Sequence, residues 1–266
     1  MLVTGAAGLL GTWLRRTAPE PTAVLPMTHR TRLPGDDGLV ADLRDAAEVA
    51  AVFARARPDV VIHTAYAHDE ASIVAATQHV VEAARAVGAD LVHISTDVVF
   101  SGDGVPRAED ASPDPISDYG RWKARAEQIV SDALPGAAVV RLPLIVSLDP
   151  EDHVIAQIRA GHDGGPTLWF SDELRQPAYG EEIARALWSI VALDGTARAG
   201  AWQLPGPERL TRAEIAQRVV AVLGLDQGLI ASGATPPAVQ RPRDIHMLGD
   251  RARRVVGWDP APILVP

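Results

Sequence analysis

Cysteine is absent from all 266 residues. That excludes disulfides, thiolate metal sites and cysteine nucleophiles, and it fits a reducing compartment. Aromatic residues are scarce, 5% against a hydrophobic fraction of 47%. Alanine and valine dominate the apolar fraction, the composition of small-residue helices packed on a parallel sheet. No apolar run reaches membrane-spanning length, so a soluble globular protein with no membrane partner is expected. Positive charge is in deficit. A net charge of −9 removes the field that non-specific nucleic-acid binding requires, so no nucleic-acid partner is expected either. An anionic substrate would have to be met by local arginines. The histidines form no metal-ligating pattern. The chain opens directly on Met1-Leu2-Val3-Thr4-Gly5, which leaves no room for a signal or transit peptide and makes the cytoplasm the expected location.

What is present begins at the first residues. Leu2 to Thr4 reads as a short buried strand and runs into Gly5-Ala6-Ala7-Gly8-Leu9-Leu10-Gly11, then a helix from Leu10 to about Thr17. Glycines permit a tight turn, admit a pyrophosphate to the backbone N–H groups and let helix and strand approach closely, with the helix N-terminus facing the phosphates. A second strand, Ala23 to Thr28, should end at the residue that reads the adenosine ribose. The turn there is Thr28-His29-Arg30-Thr31-Arg32, with no acid until Asp36. A basic turn suits a 2′-phosphate, so NADP(H) is favoured over NAD(H).

Leu39 to Leu43 reads as a third strand, with Asp42 placed to contact the adenine. Asp45 to Ala56 is an acid-capped amphipathic helix, and Val60 to Ala65 has the continuous apolar run of a central parallel strand. A helix from about Ser72 to Val87 leads to a strand at Leu91 to Thr96. This alternation predicts an α/β fold with a Rossmann-type doubly wound parallel sheet. Ligands of such sheets bind beyond the carboxyl ends of the strands, where Ser95, Thr96 and Asp97 lie. Ser101 to Ser117 has no periodic pattern and is expected to be a long functional loop. It delivers the chain to a helix carrying Tyr119 and Lys123, four apart and on one face. A cation beside a phenol favours its ionised form, so Lys123 is expected to lower the Tyr119 pKa. Ala138 to Ile145 is the next strand.

From Ser147 the pattern breaks into short elements. The expected division is a dinucleotide-binding domain at 1–146 and a smaller substrate lobe at 147–266, with segments such as 178–193 packing back on the first. Glu151 to Ala160 and Glu181 to Leu193 read as helices, and Leu168 to Phe170 and Ala201 to Leu204 as strands. Thr211 and Glu214 form a capping box for a helix from Arg212 to Leu223. Trp169, Trp202 and Trp258 are expected in the core, and His63 and His93 in buried strands.

Three motifs taken together, Gly5-x-x-Gly8-x-x-Gly11, Ser95-Thr96-Asp97-Val98-Val99-Phe100-Ser101-Gly102 and Tyr119-Gly120-x-x-Lys123, resemble the extended short-chain dehydrogenase/reductases, and within them the dTDP-4-dehydrorhamnose reductase group. Arg141-Leu142-Pro143, Arg175-Gln176-Pro177 and Arg241-Pro242-Arg243-Asp244 agree with it. The resemblance implies NADPH-dependent reduction of a ketone, most readily a nucleotide-linked 4-keto-6-deoxy sugar. Tyr119 would be the general acid, Lys123 would hold the nicotinamide ribose, and Thr96 would hydrogen-bond the carbonyl. It further implies cofactor contacts from Ala7, Leu9, Leu10 and Leu43, and from Thr64, Ala65, Tyr66 and Ser95. The substrate would meet Asp97 and Val98, with Arg175 and Arg241 as either phosphate contacts or structural ion pairs.

One position departs from the family. Its helix usually starts Asn-Val-x-Gly-Thr; here the run is Ile73-Val74-Ala75-Ala76-Thr77, after a shortened segment from Tyr66 to Ser72. The asparagine that often completes the catalytic group is absent. A non-catalytic NADP-binding subunit, such as the beta subunit of methionine adenosyltransferase that resembles this family, is therefore an alternative. Dehydratases of the superfamily carry an Asp-Glu pair where Asp97 is followed by Val98, and epimerases tend to retain NAD. The oligomeric state is left open, a homodimer included.

Overall fold

The computed structural model describes residues 1–30, 33, 38–161 and 165–265. Along the first half the chain forms β1 (Leu2–Thr4), α1 (Leu9–Arg16), β2 (Leu25–Thr28), β3 (Leu39–Val40), α2 (Ala46–Ala56), β4 (Val60–His63), α3 (Ala76–Val87) and β5 (Asp90–Thr96). It continues through β6 (Asp103–Arg107), α4 (Asp118–Ala133) and β7 (Ala138–Leu142). A seven-stranded sheet runs in the order Gly200–Gln203, β7, β5, β4, β1, β2, β3, with every neighbour parallel. Strand order reverses between β1 and β4, which opens a crevice at their carboxyl ends.

The alternation of side chains decides what each face buries. Leu2, Val61 and Leu91 stand in register across β1, β4 and β5, and they join Val49, Phe53 and Val80 of α2 and α3 in one core. The next row, Val3, Ile62 and Val92, points the other way, onto Leu10 and Leu14 of α1 and onto Ile183 and Leu187 of the helix Gly180–Val191. Strands buried on both faces must be apolar throughout, which is why these segments read as runs rather than alternations. Each such side chain contributes about 1.5–3 kcal/mol by leaving water.

The second half adds a four-stranded sheet in the order Leu210–Thr211, Leu174–Arg175, Asp244–Met247 and β6. Its core gathers Val154, Ile155, Trp169, Ile215 and Val219. Trp202 and Trp258 are buried in the core over the large sheet, as expected of tryptophans that are not stacking platforms. The helix Arg212–Leu223 starts with the capping box of Thr211 and Glu214.

Several expectations are corrected. Ser101 to Ser117 is not structureless: β6 lies within it and pairs in parallel with Asp244–Met247. The pairing has no local signature because its partner is some 140 residues away. It demands glycine at Gly102, where φ is +75° and a Cβ would lie 2.6 Å from Pro242 Cβ. The third strand stops at Val40 rather than Leu43, and the second begins at Leu25 rather than Ala23. Pro143 splits the expected strand Ala138 to Ile145 into β7 and a two-residue strand, Ile145–Val146. The expected helix at Ser72 opens as a π-helical turn, Ala71–Ala75, before α3.

Candidate active site

A cleft of about 1090 Å³ follows the carboxyl ends of the strands, from Thr28 past the glycine loop and Tyr119 to Arg175, Arg212 and Arg241. At its first end the loop geometry depends on glycine. Gly5 has φ +66°, and a Cβ there would meet Ala65 Cα and Thr64 Oγ1 at 2.8 Å. A Cβ on Gly11 would lie 2.4 Å from the Gly5 carbonyl oxygen. Helix α1 follows with no side-chain cap and no acidic residue in its first turn, so among the described residues no side chain caps its leading residues, which line the cleft. The turn after β4 is tied to this loop, since the Thr64 hydroxyl donates to the Thr4 carbonyl at 2.6 Å and the Ala65 N–H to Thr4 Oγ1 at 3.3 Å.

Where the adenosine ribose is expected, His29 and Arg30 are exposed and line the cleft. Arg32, and with it Asp36, lies outside the described residues. Asp42 is not a free acid: it binds Arg44 at 2.6 Å and His29 at 3.4 Å. The side-chain hydrogen bond from Arg44 holds its carboxyl well below the usual carboxylate range. Arg44, which the sequence did not single out, is thus a third basic group at this end beside Leu43, whose carbonyl is engaged by His79 at 2.9 Å.

The chemical end is built on one stripe of α4. Ser117 caps the helix through Gly120 N–H, and Tyr119, Lys123 and Glu127 then recur at four-residue spacing along one face. Lys123 is buried, and its ammonium donates to the Ile94 carbonyl at 2.6 Å. Burial pulls its pKa down to about 8, with Glu127 acting in the opposite sense. Glu127 accepts from the Ser95 hydroxyl and holds Arg141 at 2.8 Å in a buried ion pair. Ser95 therefore turns its hydroxyl into this network, while Thr96 at the end of β5 donates to Asp97 at 3.2 Å. Burial raises the Asp97 carboxyl, and Arg175 at 3.7 Å opposes that shift.

Tyr119 does not behave as the spacing with Lys123 suggests. Burial, then the neighbouring Tyr66 and Asp97, push its phenol above its ordinary value, and the Thr96 hydroxyl only partly counters them. The Lys123 ammonium is committed to the Ile94 carbonyl, and burial sets the direction of the phenol's shift. Over Tyr119 lie two rings of the shortened segment: His68, with centroids 5.1 Å apart, and Tyr66, at 5.8 Å. His68 carried no signal in the sequence. Ile73 is fully buried beside Val74 and Ala126 and packs near Tyr119 and Trp122. The position of the family's asparagine is thus apolar, and the chain has no asparagine anywhere to replace it.

Beneath the pair, Thr4, His63 and His93 stand in one row across β1, β4 and β5. His63 contacts Thr4 Oγ1 at 2.8 Å, and burial takes its pKa to about 3. His93 is depressed by the same cause, so both are neutral structural residues. At the far end Arg175 is buried against Glu173 at 3.0 Å and donates to the Pro242 carbonyl at 2.9 Å. Arg241, half exposed, also binds Glu173 at 3.0 Å. Both line the cleft beside Asp97 and Val98.

The family model described as RmlD substrate binding domain matches residues 1–262. A dTDP-4-dehydrorhamnose reductase of Streptomyces griseus is 30% identical over 277 residues, covering 97% of this chain and 88% of that protein. The methionine adenosyltransferase 2 subunit beta of Xenopus tropicalis is 35% identical over 156 residues, or 54% of this chain and 46% of that one. Among solved structures, a dTDP-4-dehydrorhamnose reductase from Bacillus anthracis in complex with NADP superposes with a TM-score of 0.83 at 22% identity, over 99% of this chain and 94% of that one. Motifs, sheet order and family match agree, and the chain belongs to the RmlD substrate binding domain family, in the dTDP-4-dehydrorhamnose reductase-like group of extended short-chain dehydrogenase/reductases.

Proposed function

We propose that this protein is an NADPH-dependent reductase of a nucleotide-linked 4-keto-6-deoxy sugar. The observation that carries the reading is the placement of Tyr119, Lys123 and Thr96 in one cleft with the glycine loop. The names of its relatives support the reductase class, and the Bacillus anthracis protein was solved with NADP. The residues of this chain fit that cofactor. The Gly5 and Gly11 cradle leaves room where a Cβ would collide, α1 has no side-chain cap, and Arg30 supplies charge for a 2′-phosphate, with His29 and Arg44 as further donors, while Arg44 neutralises Asp42. NADPH, when bound, supplies the hydride; orientation and proton transfer belong to the protein.

Tyr119, kept protonated by burial, donates its proton to the ketone oxygen as negative charge develops there. Lys123 carries a positive charge at neutral pH and stabilises the phenolate left behind. Thr96, at the end of β5, orients the carbonyl. The test is absorbance loss of NADPH on mixing with dTDP-4-keto-6-deoxy sugars. NADP(H) should bind more tightly than NAD(H), and the reverse order would remove the role of Arg30 and Arg44.

A second reading is favoured by one observation. Ile73 replaces the asparagine of the catalytic group, and the Xenopus tropicalis relative is named as a subunit of another enzyme. Tight NADPH binding with no turnover of any dTDP-4-keto sugar would support a cofactor-binding regulatory role instead.

A further inference from the structure

The charges at the far end of the cleft do not pair off. Arg175, Arg212 and Arg241 line it together with Glu173 and Asp97. Glu173 is buried and binds both Arg175 and Arg241, at 3.0 Å each. Arg175 reaches Asp97 as well and donates to two backbone carbonyls. Arg212 differs. It is only 8% exposed, yet among the described residues its guanidinium makes no hydrogen bond and no ion pair. Its side chain lies over the Trp169 ring at 5.3 Å, with the cleft in front of it. The two acids whose charge acts on Arg212 are engaged elsewhere, Glu173 by Arg175 and Arg241, and Asp152 by the N–H groups of Ser147, Val154 and Ile155.

A guanidinium presents five donors and has no neutral form available at working pH. Burial lowers the Arg212 pKa to about 10, which still leaves it charged near neutrality. Its field reaches His153, whose protonation is disfavoured first by burial and next by Arg212. A buried, unpaired cation facing an open cleft is costly unless an anion completes it. Aromatic support from Trp169 holds the fork in place and adds no hydrogen-bond acceptor of its own.

We propose that Arg212 is the anchor for the diphosphate of a nucleoside diphosphate, with half-exposed Arg241 as its partner at the mouth of the cleft. The inference rests on the nucleotide-linked substrate proposed above. Arg175, whose donors are spent on Glu173, Asp97 and backbone, holds this end together rather than gripping phosphate.

Titration of thymidine diphosphate, thymidine and inorganic pyrophosphate into the parent and the variants Arg212→Met and Arg212→Lys tests it. Loss of charge-assisted hydrogen bonds should weaken thymidine diphosphate about 10–100-fold in Arg212→Met, while thymidine is unchanged. Arg212→Lys, which keeps the charge and loses the fork, should fall in between. NADPH titration of each variant verifies the fold and should give the parent's affinity. Equal affinity of parent and Arg212→Met for thymidine diphosphate overturns the role of Arg212 and leaves the reductase reading standing. A variant that loses NADPH while keeping thymidine diphosphate overturns it too, by assigning Arg212 to the cofactor. If the parent itself binds no thymidine diphosphate or pyrophosphate, both the anchor and the nucleotide-linked substrate fall.

Discussion

Lys123 is the single lysine of the chain, and its buried ammonium sets the most direct pH prediction. Its folded pKa of about 8 means the cation needed beside the phenolate is present below that value and lost above it. The kcat/KM for the ketone should therefore fall on the alkaline side with an apparent pKa near 8, a limb seen in rates measured across pH 6–10. A flat profile to pH 10 would remove the ammonium from the mechanism. Tyr119→Phe should lower kcat by at least ~10²-fold with NADPH affinity nearly intact, measured by stopped-flow reduction and fluorescence titration. The pairing of Tyr119 with Lys123 was legible in the sequence because four residues of helix bring two side chains to one face. The direction of the Tyr119 shift was not, since burial and the arrival of Tyr66 and Asp97 set it. Those neighbours come from other elements.

Elements differ in how much of their role is local. The glycine loop is readable as a motif because its constraint is steric and short-range: Gly11 lies against Gly5 and Ala6 of its own segment. Gly11→Ala would drive a Cβ to 2.4 Å from the Gly5 carbonyl, so the α1 entry must shift. NADPH affinity should fall at least about tenfold, with a lowered Tm, because the packing that presents the phosphate-binding N–H groups is lost. Retained affinity would mean that the loop does not hold the cofactor. By contrast β6 was read as loop. Gly-Val-Pro within Asp103–Arg107 has no strand periodicity, and the pairing is decided by Asp244–Met247 far along the chain. The π-helical turn at Ala71–Ala75 was equally hidden, although it fixes where Ile73 and the His68 segment stand.

At the scale of the whole molecule, the buried pair Glu127–Arg141 joins α4 to β7, with Arg141 also donating to the carbonyls of Glu109 and Ala111 at 3.2 Å. Glu127→Leu leaves a buried guanidinium without its carboxylate, which should cost about 3–5 kcal/mol. Calorimetry should then show Tm lower by at least about 6 °C. The double variant Glu127→Leu, Arg141→Met should recover much of that loss, because replacing both charges with apolar groups removes the unpaired cation. No recovery would mean that the ion pair is not what couples the two elements.

The sequence by itself determined the fold class, the glycine loop, the Thr96 strand end and the Tyr119–Lys123 helix. Hydrophobic runs, glycine spacing and helical periodicity are local properties, and the parallel sheet follows from them. It also contained the absence of the asparagine at Ile73, which no tertiary contact could restore. Only the tertiary structure decided which charges are spent. It spent Arg175 on Glu173 and Asp97, tied Arg241 to Glu173 while leaving it half exposed, turned Ser95 toward Glu127, and left Arg212 buried in the cleft with no ion pair among the described residues. The reason is physical: whether a charged side chain is free depends on the acceptors that distant segments bring within hydrogen-bond reach, and spacing along the chain carries no record of them.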